Sequence, residues 1–173
     1  MSRRPIVPGI HTGREGDEPP TELDRHFREA MSRWPSGVTV VAVRDEGRIH
    51  GITVSAFSSL SLQPPLVLAC IGEHAGILGD LVEGAVFGVS ILTAAQRRLA
   101  SAFARFVPVE VDRFHPGDAP VLRDAAAGLV CTVESVLPGG DHRIVVGQVR
   151  EVVLGPDEEP LVHHRRDYRT LQP

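Results

Sequence analysis

GLVCTVESVLP, residues 128–138, and HRIVVGQVREVVL, residues 142–154, flank Gly139-Gly140-Asp141. Two long runs rich in Val and Ile, joined across Gly-Gly-Asp, read as one long β-hairpin, because glycine accepts the backbone angles that a tight hairpin turn demands. Upstream, GVTVVAV (37–43) is strongly β-branched, Asp45-Glu46-Gly47 is turn material, and IHGITVSAF (49–57) is the returning strand of a second hairpin. PLVLACI (65–71) is a fully apolar third strand of this half, and VFGVSIL (86–92) is a fourth. Strands of this number with two or three helices and no regular βαβ alternation define a mainly β chain with flanking helices, an antiparallel barrel rather than a doubly wound sheet. No GxGxxG follows a strand, which excludes the usual dinucleotide fold.

The helices are placed by caps and spacing. Thr21 and Asp24 form a capping-box-like start, Phe27, Ala30, Met31 and Trp34 follow at helical spacing, and Pro35 with Ser36-Gly37 turns the chain. AAQRRLASAFARF (94–106) is a helix with Leu99, Ala102, Phe103 and Phe106 on one side, and a short helix covers 77–83. Residues 1–20 are rich in Pro, Gly and charge and read as a flexible N-terminal arm, leaving 21–173 as one folded domain.

A formal net charge of −4 argues against a nucleic-acid protein. The basic residues are all arginine, which removes Schiff-base chemistry and lysine phosphate clamps. Cys70 and Cys131 lack CxxC spacing, lie in apolar runs and read as buried small hydrophobes. No apolar stretch is long enough for a signal peptide or a membrane span, so cytoplasmic residence is expected.

Chemistry concentrates in GITVSAFSSLSLQPPL (51–66), where Thr53, Ser55, Ser58, Ser59 and Ser61 cluster at a strand exit and the start of an irregular stretch. Hydroxyls and backbone N–H groups at such an exit suit a neutral or anionic ligand; a Ser-rich loop capping its own backbone is the plain alternative. His163-His164 does not read as a metal site, since adjacent strand residues point to opposite faces and no HxH or cysteine partner stands nearby.

Five stretches in order carry a family likeness: FREAMSRWPSGVTVV, GITVSAFSSLSLQPPLVLACI, VFGVSILTAAQRRLASAFA, GLVCTVESVLPGGDHRIVVGQV and PLVHHRRDYRTL. Together they span the chain from residue 26 onward, and they resemble the flavin reductase family, whose members share an antiparallel split β-barrel of the FMN-binding type. The resemblance implies an NAD(P)H:flavin oxidoreductase, using NADH or NADPH to reduce FMN or FAD. It also implies a homodimer that hands reduced flavin to a partner monooxygenase. The flavin ring is then expected against Thr53, Val54, Ser55 and Ala56, the phosphate near Ser59 and Ser61, and Ser36 beside the cofactor. In the loop after the third strand, Ala75 and Ile77 stand where the family often has hydroxyls, which implies fewer phosphate donors.

In the second half, the resemblance sets His142, from the Gly-Asp-His turn, on the nicotinamide side of the flavin as the catalytic residue, with Tyr168 packed nearby. Flat rings suit that role, because hydride transfer needs alignment and stacking more than acid–base groups. Asp167 occupies a position where relatives commonly carry a small residue, and its carboxylate is expected to narrow the site or repel nucleotide phosphates unless Arg165, Arg166 or Arg169 offsets it. Two other readings stay open on sequence: a non-catalytic FMN-binding barrel, and a barrel oxidoreductase acting on another small substrate with bound flavin.

Overall fold

The computed structural model describes residues 19–107 and 109–171, so the arm expected over 1–20 falls outside the described residues save for Pro19 and Pro20. In chain order the elements are α1 (Glu22–Ser32), β1 (Ser36–Gly37), β2 (Thr39–Asp45), β3 (Arg48–Val54), β4 (Phe57–Leu62), β5 (Pro65–Gly72) and β6 (Val86–Ile91). Then come α2 (Arg97–Ala104), β7 (Ala127–Gly139), β8 (His142–Leu154), β9 (Val162–His164) and β10 (Asp167–Arg169). Seven strands form one sheet in the order β3-β2-β6-β7-β8-β5-β4, and β1-β9-β10 form a small second sheet. Every pairing is antiparallel.

The outermost strands of the large sheet, β3 and β4, are consecutive in the chain and joined only by Ser55 and Ala56. From Val54 to Phe57 the backbone reaches at most about 11 Å. The sheet must therefore curl until its edges nearly meet, yet β3 and β4 share no ladder. The result is a barrel split along one seam.

Both faces of β2 are covered, as its β-branched run requires. Val41 and Val43 join the core inside the barrel, with Val54, Ile71, Phe87, Cys131 and Val145. Val40 and Ala42 join a second core outside, under α2, with Leu92, Ala100, Phe103 and Leu122. The long hairpin runs in register from Gly139↔His142 to Ala127↔Leu154, with bulges at Val130/Cys131 and Val133/Ser135 that add the bend a curled sheet needs. Gly140 takes the first turn position at φ +73°, where a side chain is disfavoured.

Three expectations change. Residues 57–62 are not irregular: they form β4, hairpinned to β5 around Gln63-Pro64, and the β-bulge at Ser59/Ser61 absorbs the misfit. The helix expected over 77–83 is a single 3₁₀ turn, Gly76–Gly79, because Gly79 and Gly84 interrupt it. The helix expected over 94–106 is a 3₁₀ turn, Ala94–Gln96, followed by α2, and it stops before Phe106, which sits left-handed at φ +55° and exposed.

A Cβ on Gly88, in β6, would lie 2.1 Å from the Pro120 carbonyl oxygen, whereas one on Gly79 would meet nothing within 4 Å. Gly88→Ala should therefore cost about 2 kcal/mol or more and Gly79→Ala far less, read as shifts in urea midpoint at unchanged slope.

Candidate active site

A cavity of about 260 Å³ opens at the seam, where β3 and β4 part. It is lined by Val38, Ile52, Thr53, Val54, Ser55, Ala56, Cys70, Ile71, Gly72, His142, His163 and Tyr168. Local structure explains each contribution. Ser55 and Ala56 form the bend between two ladders, and Ala56 stays anchored by accepting the Cys70 N–H at 2.8 Å. The alternation of β5 buries Val67, Ala69 and Ile71 and turns Cys70 and Gly72 to the half-open face. Thr53 Oγ1 donates to the Ala100 carbonyl at 2.6 Å, tying β3 to α2 and leaving only its lone pairs for a ligand.

His142 is held from three directions. It pairs across the turn with Gly139 and laterally with Gly72. The Asp141 carbonyl accepts the Glu73 N–H at 3.0 Å, and Arg143 pairs with Glu73 at 2.5 Å, so the hairpin tip is pinned to the end of β5. His142 Nδ1 lies 2.7 Å from Asp141 Oδ1; because a carboxylate only accepts, Nδ1 carries the hydrogen.

His163 and Tyr168 face each other directly across the β9–β10 hairpin, ring centroids 6.1 Å apart and edge to face. The turn joining them, Arg165-Arg166, has both residues left-handed at φ +51° and +62°, the geometry of a tight two-residue hairpin. Arg97, at the start of α2, lays its guanidinium 5.7 Å from the Tyr168 ring centre and pairs with Asp167 at 2.9 Å. Asp167 also faces Arg169 at 3.6 Å and accepts the Tyr168 N–H at 2.8 Å. The carboxylate that stands where the family commonly has a small residue is thus paired and lines no part of the cavity.

Among the described residues, the wall carries no carboxylate and no guanidinium. Burial pushes His163 below the ordinary imidazole value, with Asp167 pulling up and His164 pulling down, so the ring is neutral at pH 7. Burial likewise raises the Tyr168 phenol, against Arg97, Arg105 and Ser101, so it stays protonated. Among the described residues, the buried Tyr168 hydroxyl has no hydrogen-bond partner. A neutral slot with hydroxyl, imidazole and backbone groups around apolar sides fits a flavin ring, whose edge is neutral and rich in acceptors.

Thr53, Val54, Ser55, Ala56, His142 and Tyr168 are therefore brought together in one cavity. Ser36 lies next door, in a groove of about 970 Å³ that shares Ser55, Ala56, Cys70 and His163 with the cavity. Ser59 and Ser61 line neither, because β4 carries them away from the bend along the sheet edge; Ser61 Oγ instead accepts the Gln63 N–H at 3.2 Å. Sequence reading missed six wall residues, Val38, Ile52, Cys70, Ile71, Gly72 and His163, of which Cys70 and His163 carry chemistry. Cys70 is half-buried at the cavity, while Cys131 is the buried thiol, pushed up to about 12 by burial. His163 was findable: a two-residue turn at Arg165-Arg166 sets it opposite Tyr168.

Comparisons with known proteins agree on the class. A match to the flavin reductase like domain covers residues 31–172, and the chain belongs to that family. It is 44% identical over 145 residues to the reductase component of 4-hydroxyphenylacetate 3-monooxygenase from Thermus thermophilus, covering 84% of this chain and 95% of that one. It is 36% identical over 162 residues to an NADH-dependent flavin reductase of a Rhodococcus species, covering 91% and 92%. Among solved structures, a Streptomyces globisporus NADH:FAD oxidoreductase in complex with NAD and FAD fragments superposes with a TM-score of 0.78 at 33% identity, covering 91% of this chain and 98% of that one.

Because the folded His163 titrates below its unfolded value, it supports stability above about pH 6.5, and that support is lost as pH falls through the lower folded value. His163→Phe should therefore narrow the drop in urea midpoint between about pH 7.5 and pH 5.5, the range that brackets the ordinary imidazole value.

Proposed function

We infer that this chain is an NADH-dependent flavin reductase that hands reduced flavin to a separate monooxygenase. The observation that carries the reading is the neutral cavity at the barrel seam, lined together by Thr53, Val54, Ser55 and Ala56 and by the rings of His142, His163 and Tyr168. The bound flavin and nicotinamide supply the redox chemistry, a hydride passing from one ring to the other. The chain supplies the rest. Ser55 and Ala56 hold the flavin edge through hydroxyl and backbone groups; Val54 and Ile71 give it apolar contact. His142, oriented by Asp141, and Tyr168, oriented by Arg97, stack on the nicotinamide and keep both rings aligned. No acid or base is needed at the reacting atoms, in keeping with a wall free of carboxylates.

The donor is NADH, supported by relatives that are themselves named NADH-dependent. A monooxygenase partner is supported by the relatives that are reductase components of such enzymes. No helix of the described residues is long and apolar enough to cross a membrane. We place the protein in the cytoplasm, where NADH is abundant and the free thiols of Cys70 and Cys131 stay reduced. A homodimer accounts for the large apolar side chains left exposed on the barrel, among them Leu60, Leu62, Leu137 and Leu154.

The purified protein should oxidise NADH in air only when flavin is added. His142→Ala should raise KM for NADH roughly tenfold, the loss of one stacking contact, and raise KM for flavin much less. Equal rises in both would remove His142 from the nicotinamide side, and no oxidation by folded protein with either flavin would overturn the reductase reading.

A further inference from the structure

The helix α1 is capped as its sequence demands, yet none of its residues is buried. Thr21 Oγ1 accepts the Asp24 N–H at 3.2 Å and the Thr21 N–H donates to Asp24 Oδ2 at 2.8 Å, closing the capping box, so the helix is well started without any core beneath it. Its far end is tied down: the Arg165 N–H donates to the Ser32 carbonyl at 2.7 Å, and Arg166 faces Glu29 at 3.9 Å. Held at that end, α1 stands off the β4–β5 hairpin and leaves the groove of about 970 Å³ between them. The amphipathic pattern of this segment thus made a face that the chain's own core does not use.

We propose that this groove receives the adenylate half of FAD, so that the protein prefers FAD to FMN. The proposal rests on the reading of the seam cavity as the flavin ring site. Continuity is the first support. Ring cavity and groove share Ser55, Ala56, Cys70 and His163, so a dinucleotide seated by its ring at the bend has its tail directed along α1. At about 260 Å³ the cavity admits little beyond one ring system, since whole-ligand pockets run to roughly 300–1,000 Å³. Charge is the second. Arg25, Arg28 and Arg166 border the groove, against the single carboxylate of Glu29, which already faces Arg33 at 3.5 Å and Arg166. A pyrophosphate there meets guanidinium groups able to bind its oxygens in pairs. Stacking is the third. Phe27 and Trp34 line the groove at 62% and 70% exposure, flat apolar faces of the kind on which a purine stacks. FMN, which ends at its phosphate, has nothing to place against them.

Trp34 is the only tryptophan in the chain, so its emission reports on the groove alone. Equilibrium titrations with FAD, FMN and ADP test the proposal. FAD should bind tighter than FMN by roughly tenfold or more, the worth of one base stacked on an aromatic ring. ADP, which does not absorb where tryptophan emits, should quench Trp34 and should compete with FAD. In Arg28→Ala and Trp34→Ala, both on exposed positions, the FAD:FMN affinity ratio should fall towards one. Equal affinities for the two flavins, with no response to ADP, would overturn the proposal while leaving flavin reduction intact. A change in sedimentation mass in Phe27→Ala or Trp34→Ala without any change in the affinity ratio would also overturn it, and would assign the face to a second copy of the chain. Absence of binding by either flavin would instead remove the ring site on which the proposal rests.

Discussion

Ser55 and Ala56 impose the architecture. A two-residue link between the outermost strands of a seven-stranded sheet cannot be made flat, because strands at opposite edges would stand far beyond its reach. Curling the sheet satisfies the link, encloses the core around Phe87 and Ile71, and leaves one seam where no ladder forms. The cavity is that seam. Its floor is backbone that has left one ladder and not yet joined the next, which is where N–H and C=O groups are available to a ligand. Fold and site are therefore one consequence of the same short connection.

The second organising feature is the placement of charge. Ionic groups around the cavity are paired on its outer side: Asp141 with His142, Glu73 with Arg143, Asp167 with Arg97 and Arg169. These pairs lie on half-exposed surface, where each adds little to stability. Their value is orientation. They fix the hairpin tip that carries His142 and the ring that carries the chain's only phenol, and they leave the wall of the cavity neutral. The carboxylate of Asp167, which looked on sequence like an obstacle to nucleotide binding, is one half of the clamp that steadies Tyr168.

Much was legible in the sequence wherever a local rule decided the outcome. The Gly-Gly-Asp hairpin, the β2–β3 hairpin and the α1 cap all rest on residues within a few positions of one another, and all three formed as their turn and cap residues dictate. Six site residues, Thr53 to Ala56 with His142 and Tyr168, were named from family likeness and do line one cavity. What misled were places where a local reading had no view of the neighbour. Residues 57–62, polar and Ser-rich, have the look of a loop, but pairing with β5 makes them a strand, and that strand takes Ser59 and Ser61 away from the bend. Cys70 sits in a run apolar throughout, and only the open seam beside β5 exposes it.

Sequence by itself determined the strand content, the main hairpins, the helix starts, the lysine-free chemistry of the site, and the family. Periodicity, turn chemistry and motif spacing act over a few residues and need no knowledge of the whole. Tertiary structure alone decided that β3 and β4 are the two edges of one sheet, that His163 and Cys70 share a wall with His142, and that α1 stands away from the barrel with an open groove beneath its apolar face. Those facts depend on which strands become neighbours and which faces find cover. Such pairings join residues tens of positions apart, and no local preference in the chain specifies them.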